Sequence, residues 1–545
     1  MQTFNADLLI VGGGVGGCAA ALAAARSGLR VILTEECDWI GGQLTAQAVP
    51  PDEHGWIERF GCTASYRLYR DQVRAFYRAF YPLLPGPRAH PHLNPGNGWV
   101  SPLCHEPRVG LAVLHAMLAP HVTAGRITLW TEHVPIATEA DGADRLAAVI
   151  VRNQRTGCDA RVAAPYFVDA TENGDLLPLA GIEHVRGAES RHETGEPDAK
   201  AEAQPDNLQA FSFCFVMDHD PAANHVGPEP ANYRYWRSYV PPLSPPWPGP
   251  WLGWNGLNPR TMQVFPYRFD PAGEPTGPFG GLWGFRRILD RRLFEDGAFA
   301  SDLCLVNWPM IDYVGGHLLG DDASARAQHL ARAREQSLAM FHWLQTEAPR
   351  PDGGAGWPGL RLRGDVTGTS DGLAKMPYIR ESRRIRAEFT VRQQHVAQSC
   401  RPGETTAESF EDSVGIGYYR IDLHPTSGGD NYLDVGNLPF QIPLGALIPT
   451  RFENVLPAAK NIGTTHITNG CYRLHPVEWN IGEAVGELLA HCSEHGLTPR
   501  QVYRDSDRRT SFQGRLTARG FELAWPRDLD LEAGDPHAHA SFLYY

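Results

Sequence analysis

The chain has 545 residues, 42% of them hydrophobic and 20% charged, with a net charge of −13, so it is too apolar for general disorder and too long for a single small binding module. That acidic balance argues against a surface built for nucleic-acid phosphates or anionic lipid, since either needs a basic face. A small-molecule partner is the remaining expectation. The ten cysteines form no C-x-x-C pair, which is neither a zinc pattern nor a redox dithiol, and no metal site is expected. MQTFNADLLIVGGG runs straight into a strand with no secretory pattern, and no run of eighteen apolar residues occurs. A cytoplasmic protein with free thiols, away from membranes, is therefore expected; homo-oligomerisation stays open.

Residues 7–35 read as one βαβ unit: apolar strand Leu8–Val11, small-residue helix Gly16–Ser27, strand Arg30–Thr34. Gly12, Gly14 and Gly17 fall between the first two as G-x-G-x-x-G. Gly12 permits the tight turn, Gly14 lets backbone approach a pyrophosphate, and Gly17 lets helix pack on strand, with the anion at the helix N-terminus. Glu35 ends the second strand, where a carboxylate accepts from ribose hydroxyls; a 2′-phosphate would call for arginine, so NADP is disfavoured. The motif alone leaves FAD and NAD open.

From Gly41 to about Gly125 the chain is rich in aromatics and arginine, with a helix expected near Tyr66–Tyr81 and a Pro/Gly/His loop through Asn97. Residues 126–170 return to strand-like runs. Between about 185 and 280, YVPPLSPPWPGPWLGWNGLNP excludes regular helix or central strand. Its aromatics, Trp236, Trp247, Trp251 and Trp254, with Trp308 and Tyr313, suit stacking walls for a ring-shaped substrate and a domain core equally. Residues 322–348 read as a long amphipathic helix. GGAGWPG at 353–359 follows no strand, so no second dinucleotide turn, and hence no nicotinamide site, is expected. Near the end, LPAAKNIGTTHITNGCYRLHPVEWNIGEAVGELLAHC carries Pro476 at a first helical position and runs at helical period until Gly496.

Three segments select the cofactor, and they resemble the large FAD-dependent oxidoreductase family with a glutathione-reductase-type fold. Glu35 followed by CDWIGGQLT is similar to the family's acid, spacer and Gly-Gly-x-x-T, with Gly41, Gly42, Gln43 and Thr45 on the pattern. FVDATENGD resembles D-A-T-G-D-G-D, matching Asp169, Ala170 and Thr171 and departing at Glu172 and Asn173. The return motif places Asn461, Ile462, His466, Arg473, Pro476, Gly482 and Gly486 on the family's closing segment. The resemblance implies an α/β chain: a Rossmann-like FAD-binding domain with an interleaved α+β substrate/cap domain. The expected boundaries are 1–190 (with an insertion at about 46–125), 191–409 for the cap, 410–500 for the return segment and 501–545 for a C-terminal extension. The expected cofactor-binding set is Gly12, Gly14, Gly17, Glu35, Gly42, Gln43, Thr45, Val134, Asp169, Ala170, Thr171, Asn461, Arg473, Pro476, Asn480 and Ile481.

A flavin dehydrogenase needs a proton acceptor for its substrate and positive field near the reduced ring. The resemblance brings His466 and His475 to the ring, with His475 expected to add charge when protonated. His54, His105 and His424 are further candidates, and Arg380, with the other arginines of RESRRIR, is expected on a helix binding a substrate carboxylate bidentately. Cys62, Cys104 and Cys471 are read as inert thiols rather than redox or flavin-linking groups. The implied activity is oxidation of a small organic substrate, with dioxygen, a quinone or a carrier protein as electron acceptor. A flavin monooxygenase and a non-catalytic flavin electron-transfer subunit stay open beside it. A disulfide reductase lacks its C-x-x-C and second turn, and a halogenase its W-x-W-x-I-P. Purified protein should release FAD rather than FMN, and Gly14→Val, which drives a branched side chain into the pyrophosphate path, should be isolated largely without flavin. Absorbance of the variant checks it; full FAD occupancy would remove this turn from the site.

Overall fold

The computed structural model describes residues 1–273, 281–320 and 322–534; the last part of the expected C-terminal extension, 535–545, lies outside the described residues. All four residues of strand Leu8–Val11 are buried, as a continuous apolar run requires when both faces of a parallel sheet are covered. This strand is the middle of a five-stranded parallel sheet in the order Val455–Pro457, Tyr166–Asp169, Leu8–Val11, Val31–Thr34, Ile127–Trp130. The chain therefore leaves the sheet after Asp169 and comes back to complete one edge. The carboxyl ends of these strands, where open α/β sheets bind ligands, carry Gly12, Glu35, Asp169 and Ala458.

Helix Val15–Arg26 follows the glycine turn, and helix His475–His495 packs along it. Their approach is set by glycine: a Cβ on Gly482 would lie 2.0 Å from the Gly16 carbonyl oxygen, and one on Gly486 2.5 Å from that of Ala20. The second helix starts with proline in its first turn and ends on Gly496 at φ +64, the termini its sequence specifies.

A second sheet joins Gln2–Asn5, Asp159–Ala163, Leu146–Asn153 and His133–Ala140. A third, antiparallel sheet of Arg287–Leu289, Leu303–Val306, Phe215–His219 and Leu360–Leu362 packs on the long helix Ala323–Thr346. Their shared core is aromatic, with Trp251, Trp308 and Trp343 each 1% exposed and Trp236 also buried, while Trp247 is buried in a smaller cluster with Leu243, Leu257 and Tyr432. The tryptophans thus fill a core, and the stacking-wall alternative is set aside for these residues.

Helix Ala64–Phe80 stands near its expected place, whereas helix Pro107–Thr123 was not read from the sequence. It opens on proline and holds Pro120 in its last turn. The expected helix at RESRRIR does not form: Arg384–Ile385 are extended and pair antiparallel with His184–Val185. Here backbone groups bond across the chain, Ile385 N–H to Asn461 O and Arg386 N–H to Glu183 O, so tertiary pairing overrides local helix propensity. Cysteines 62, 104 and 471 are buried and free, and burial raises each thiol, Cys62 and Cys104 to about 12, so they stay protonated at neutral pH. Among the described residues no helix is long and apolar enough to cross a membrane.

Gly482→Ala should lower stability to chemical denaturation by about 1–3 kcal/mol, since backbone must move to admit the methyl. Gly514→Ala, on helix Ser506–Ala518 with nothing within 4 Å of its Cβ position, should instead leave stability unchanged or raise it by up to about 1 kcal/mol.

Candidate cofactor site and active site

The glycine turn is tight where the sequence requires it. Gly12 has φ +100, and its Cβ would sit 2.3 Å from Ala170 O, while one on Gly17 would sit 1.9 Å from Gly12 O. Gly14 differs: its Cβ position faces the Glu172 carboxylate at 3.0 Å rather than backbone, so it borders a notch. Gly42 forms the facing wall, at φ +47 and with its Cβ position 3.0 Å from Gly14 Cα.

Glu35 follows strand Val31–Thr34, accepting from Gly13 N–H at 2.8 Å and Cys37 N–H at 3.0 Å. Burial raises its pKa to about 7. Its carbonyl accepts from His133 N–H at 2.8 Å, which sets Val134 beside it. Asp169 accepts from Thr171 N–H, Thr171 Oγ1 and Leu176 N–H, holding the turn through Ala170 despite the departure at Glu172. Asn461 Nδ2 donates to Asp169 O at 3.0 Å, and its Oδ1 accepts from Ala459 N–H, clamping two neighbouring strand ends together. Gln43 Nε2 donates to Arg473 O at 3.0 Å, and Thr45 Oγ1 to Ile40 O.

Lys460 was missed by the sequence reading. Its buried ammonium pairs with Glu172 and with Glu478 Oε2 at 3.3 Å, and Glu478 Oε1 lies 3.4 Å from Gly16 N. The available signal was that Lys460 is one of three lysines in the chain and that Glu172 stands where the family has glycine. Gln43 Oε1, Arg473 Nε, His475 Nε2 and Asn480 Oδ1 are buried without partners among the described residues. Donors and acceptors of this kind, beside a glycine-walled notch at a helix N-terminus, fit a dinucleotide whose ring end is polar. Pro476 and Ile481 lie on the same helix as His475 and Asn480.

His475 Nδ1 accepts from Asp52 N–H at 3.1 Å, so the proton is on Nε2. Burial, with Arg286 and Lys460 adding to it against Asp52, pushes its pKa to about 3. The expectation of a charged His475 is thus corrected: the imidazole is a neutral N–H donor at physiological pH. Arg286 Nη1 meets Asp52 Oδ1 at 3.0 Å, and Arg473 donates to Tyr378 Oη at 3.2 Å and Asp422 O at 3.1 Å.

Arg380 is the second correction. Its terminal nitrogens are taken by Ala210 O, Ser212 Oγ, Asn307 Oδ1 and, at 2.9 Å, Asp312 Oδ1, so the bidentate grip on a substrate carboxylate is not available. Asp312 in turn accepts from Ser212 Oγ at 2.7 Å and holds His424 Nδ1 at 2.6 Å. Burial opposes the charge on Asp312, but Arg380 and His424 keep its pKa below the usual range. His424 Nε2 lies 3.7 Å from Asp422 Oδ2, which links this couple to Arg473.

His466 stands apart, its Nδ1 2.9 Å from both oxygens of Glu381; against the effect of burial, Glu381 raises its pKa. His54 bonds Gly61 O at 3.1 Å and packs among Trp56, Tyr418 and Trp525. The structure therefore gathers Gln43, Arg473, His475 and Asn480 around the return helix, and leaves His466 and His54 in separate surroundings.

Fold and turn define an α/β dinucleotide-binding enzyme. A family model for FAD dependent oxidoreductases matches residues 7–516, and the chain belongs to that family, with FAD as its cofactor. No curated protein matches it. Among solved structures it is similar to a geranylgeranyl bacteriochlorophyll reductase-like protein from Thermoplasma acidophilum, at 10% identity over 96% of this chain and 85% of that one, with a TM-score of 0.32. It is also similar to E. coli quinol fumarate reductase, at 12% identity over 95% and 74%, TM-score 0.30. With L-proline dehydrogenase from P. horikoshii it shares 15% identity over 34% of this chain, spanning only 24% of that protein, TM-score 0.17. None of these likenesses bears on substrate.

The neutral His475 has a signature in acid. A histidine titrating near 6.5 when unfolded and near 3 when folded stabilises the protein fully above pH 6.5, and that share is lost as pH falls toward 3, by up to about 1.4 kcal/mol per pH unit. His475→Gln should flatten the loss of stability between pH 6.5 and 4. Denaturant titrations across that range check it; parallel curves would mean that His475 is not held neutral.

Proposed function

We propose that the protein is a dehydrogenase or oxidase that removes two hydrogens from a small alcohol, amine or saturated ring carbon. FAD, when bound, supplies a two-electron acceptor for hydride. On this reading residues 1–190 and 410–500 hold the cofactor and 191–409 form most of the cap, in a glutathione-reductase-type arrangement. Gly12, Gly14 and Gly17 would admit the pyrophosphate and Glu35 the ribose, with Val134 and the Asp169–Thr171 turn beside them. Gly42, Gln43, Thr45, Asn461, Arg473, Pro476, Asn480 and Ile481 would surround the ring end, where His475 Nε2–H donates.

The observation that carries the reaction is the Asp312–His424 couple, 2.6 Å apart. A buried carboxylate on Nδ1–H fixes the tautomer and leaves Nε2 as a base, so His424 takes the substrate's O–H or N–H proton as hydride departs. With its side chain 19% exposed, His424 returns that proton to water. Arg473 and Tyr378, bonded to each other, hold the substrate's polar group. Dioxygen, a quinone or a carrier protein accepts the electrons afterwards.

Anaerobic screening of metabolite pools for compounds that bleach the flavin identifies the substrate. With it, Asp312→Asn should lower the rate of bleaching by on the order of 10²–10⁴, the share general-base catalysis supplies, at unchanged FAD content. NADPH should bleach neither protein efficiently. An unimpaired Asp312→Asn would remove His424 from the chemistry, and fast bleaching by micromolar NADPH would favour a monooxygenase.

A further inference from the structure

A cavity of about 190 Å³ lies apart from the glycine turn, with Glu189, Glu196, Asp198, Lys200, Asp430 and His466 among its walls. It is large enough for a small organic molecule rather than a lone water. Most of the charges around it are matched. Asp430 pairs with Lys200, Glu189 with Arg384 at 2.9 Å, and His466 with Glu381. Glu196 and Asp198 are the exceptions, because no cation pairs with either among the described residues. Glu196 is 1% exposed and is held by neutral donors only, Thr465 Oγ1 at 2.7 Å and Gln393 N–H at 2.8 Å, both on Oε1. Asp198 accepts from Gln393 Nε2 and is exposed, which puts it at the mouth.

Burying a carboxylate without a cation is costly, and neutral hydrogen bonds offset only part of it; burial and Glu189 both raise the Glu196 pKa. His466 adds a second directional feature. It is 93% buried by its 7% exposure, and its Nδ1 edge is committed to Glu381. Glu381 favours the protonated ring, and the imidazolium, which lines the cavity, keeps Nε2–H as its second donor. Leu423 and Ile467 give the walls an apolar share, as small-molecule sites have.

We propose that this cavity binds a small ammonium compound bearing an oxygen acceptor, an amino alcohol or amino acid, with the ammonium on Glu196 and Asp198 and the oxygen on His466 Nε2–H. The assignment requires only binding, so it goes beyond the hydride-transfer reading and stands or falls separately from it. Tyr432, in the same wall, packs with its ring centroid 5.8 Å from that of His424, so the site adjoins the proposed proton acceptor.

Isothermal titration calorimetry of the FAD-loaded protein with ethanolamine, glycine, propylamine and propionate tests it without turnover. Ethanolamine and glycine should bind, propylamine more weakly for want of an oxygen, and propionate not at all. Glu196→Gln should weaken ethanolamine by at least about tenfold, the scale of a lost charge-assisted bond, with the flavin spectrum unchanged. Asp198→Asn, at an exposed position that folding tolerates, should weaken it by about twofold or more. Propionate binding as tightly as ethanolamine, no heat from any probe at tens of millimolar, or unchanged affinity in both variants would overturn the proposal.

Discussion

Everything at the cofactor end rests on the contact between the helix that leaves the glycine turn and the helix that closes the chain's return. Gly16 and Gly482 let these backbones meet at distances no side chain permits: a Cβ on Gly16 would stand 1.7 Å from Ala458 O, and one on Gly482 2.0 Å from Gly16 O. That approach brings Glu478 to Gly16 N, sets Lys460 between Glu478 and Glu172, and holds the His475 end of the return helix against the Asp52 segment. The arginines then fix the remaining parts by charge. Arg384 alone bonds Gly187 O, Glu189, Glu381 and Thr464 O, drawing three distant stretches to one buried point. Removing such a group leaves buried carboxylates unpaired, which costs about 3–5 kcal/mol.

The legible parts of the sequence were those whose physics is local. A continuous apolar run, glycines at fixed spacing and an acid at the next strand end define the first βαβ unit through adjacent residues only, and it stands within a residue or so of its expected limits. Pro476 and Gly496 mark the return helix for the same reason. What stayed dark depends on partners far along the chain. His424 stands among the candidate histidines, but its partner Asp312 lies 112 residues away and is unremarkable in its own segment. RESRRIR looks helical by composition, but its arginines are consumed by carboxylates and carbonyls that only the folded chain supplies. The tryptophans of the proline-rich segment had two uses open to them, and only burial separates a core from a wall.

Charge within the molecule is also distributed unevenly. Around the return helix, Glu172, Glu478 and Asp52 each have a cation beside them, Lys460 serving the first two and Arg286 serving Asp52. At the cavity beside His466, buried Glu196 and exposed Asp198 rest on neutral donors alone among the described residues. Arg380, whose terminal nitrogens are held by Asp312, Asn307, Ser212 and the Ala210 carbonyl, acts by positioning, whereas His475 Nε2 and the Glu196 carboxylate keep something to offer.

The order of the parallel sheet bears on how the chain is made. Tyr166–Asp169 pairs on one side with Leu8–Val11 and on the other with Val455–Pro457, and the second partner is synthesised only near the end. Until it emerges from the ribosome, the nascent chain carries a buried-type strand with one open edge, the kind of surface that pairs with other chains. Completion of the sheet is thus the step that ends its exposure to aggregation, and expression would depend on chaperone supply through the long interval in which the aromatic domain is being built.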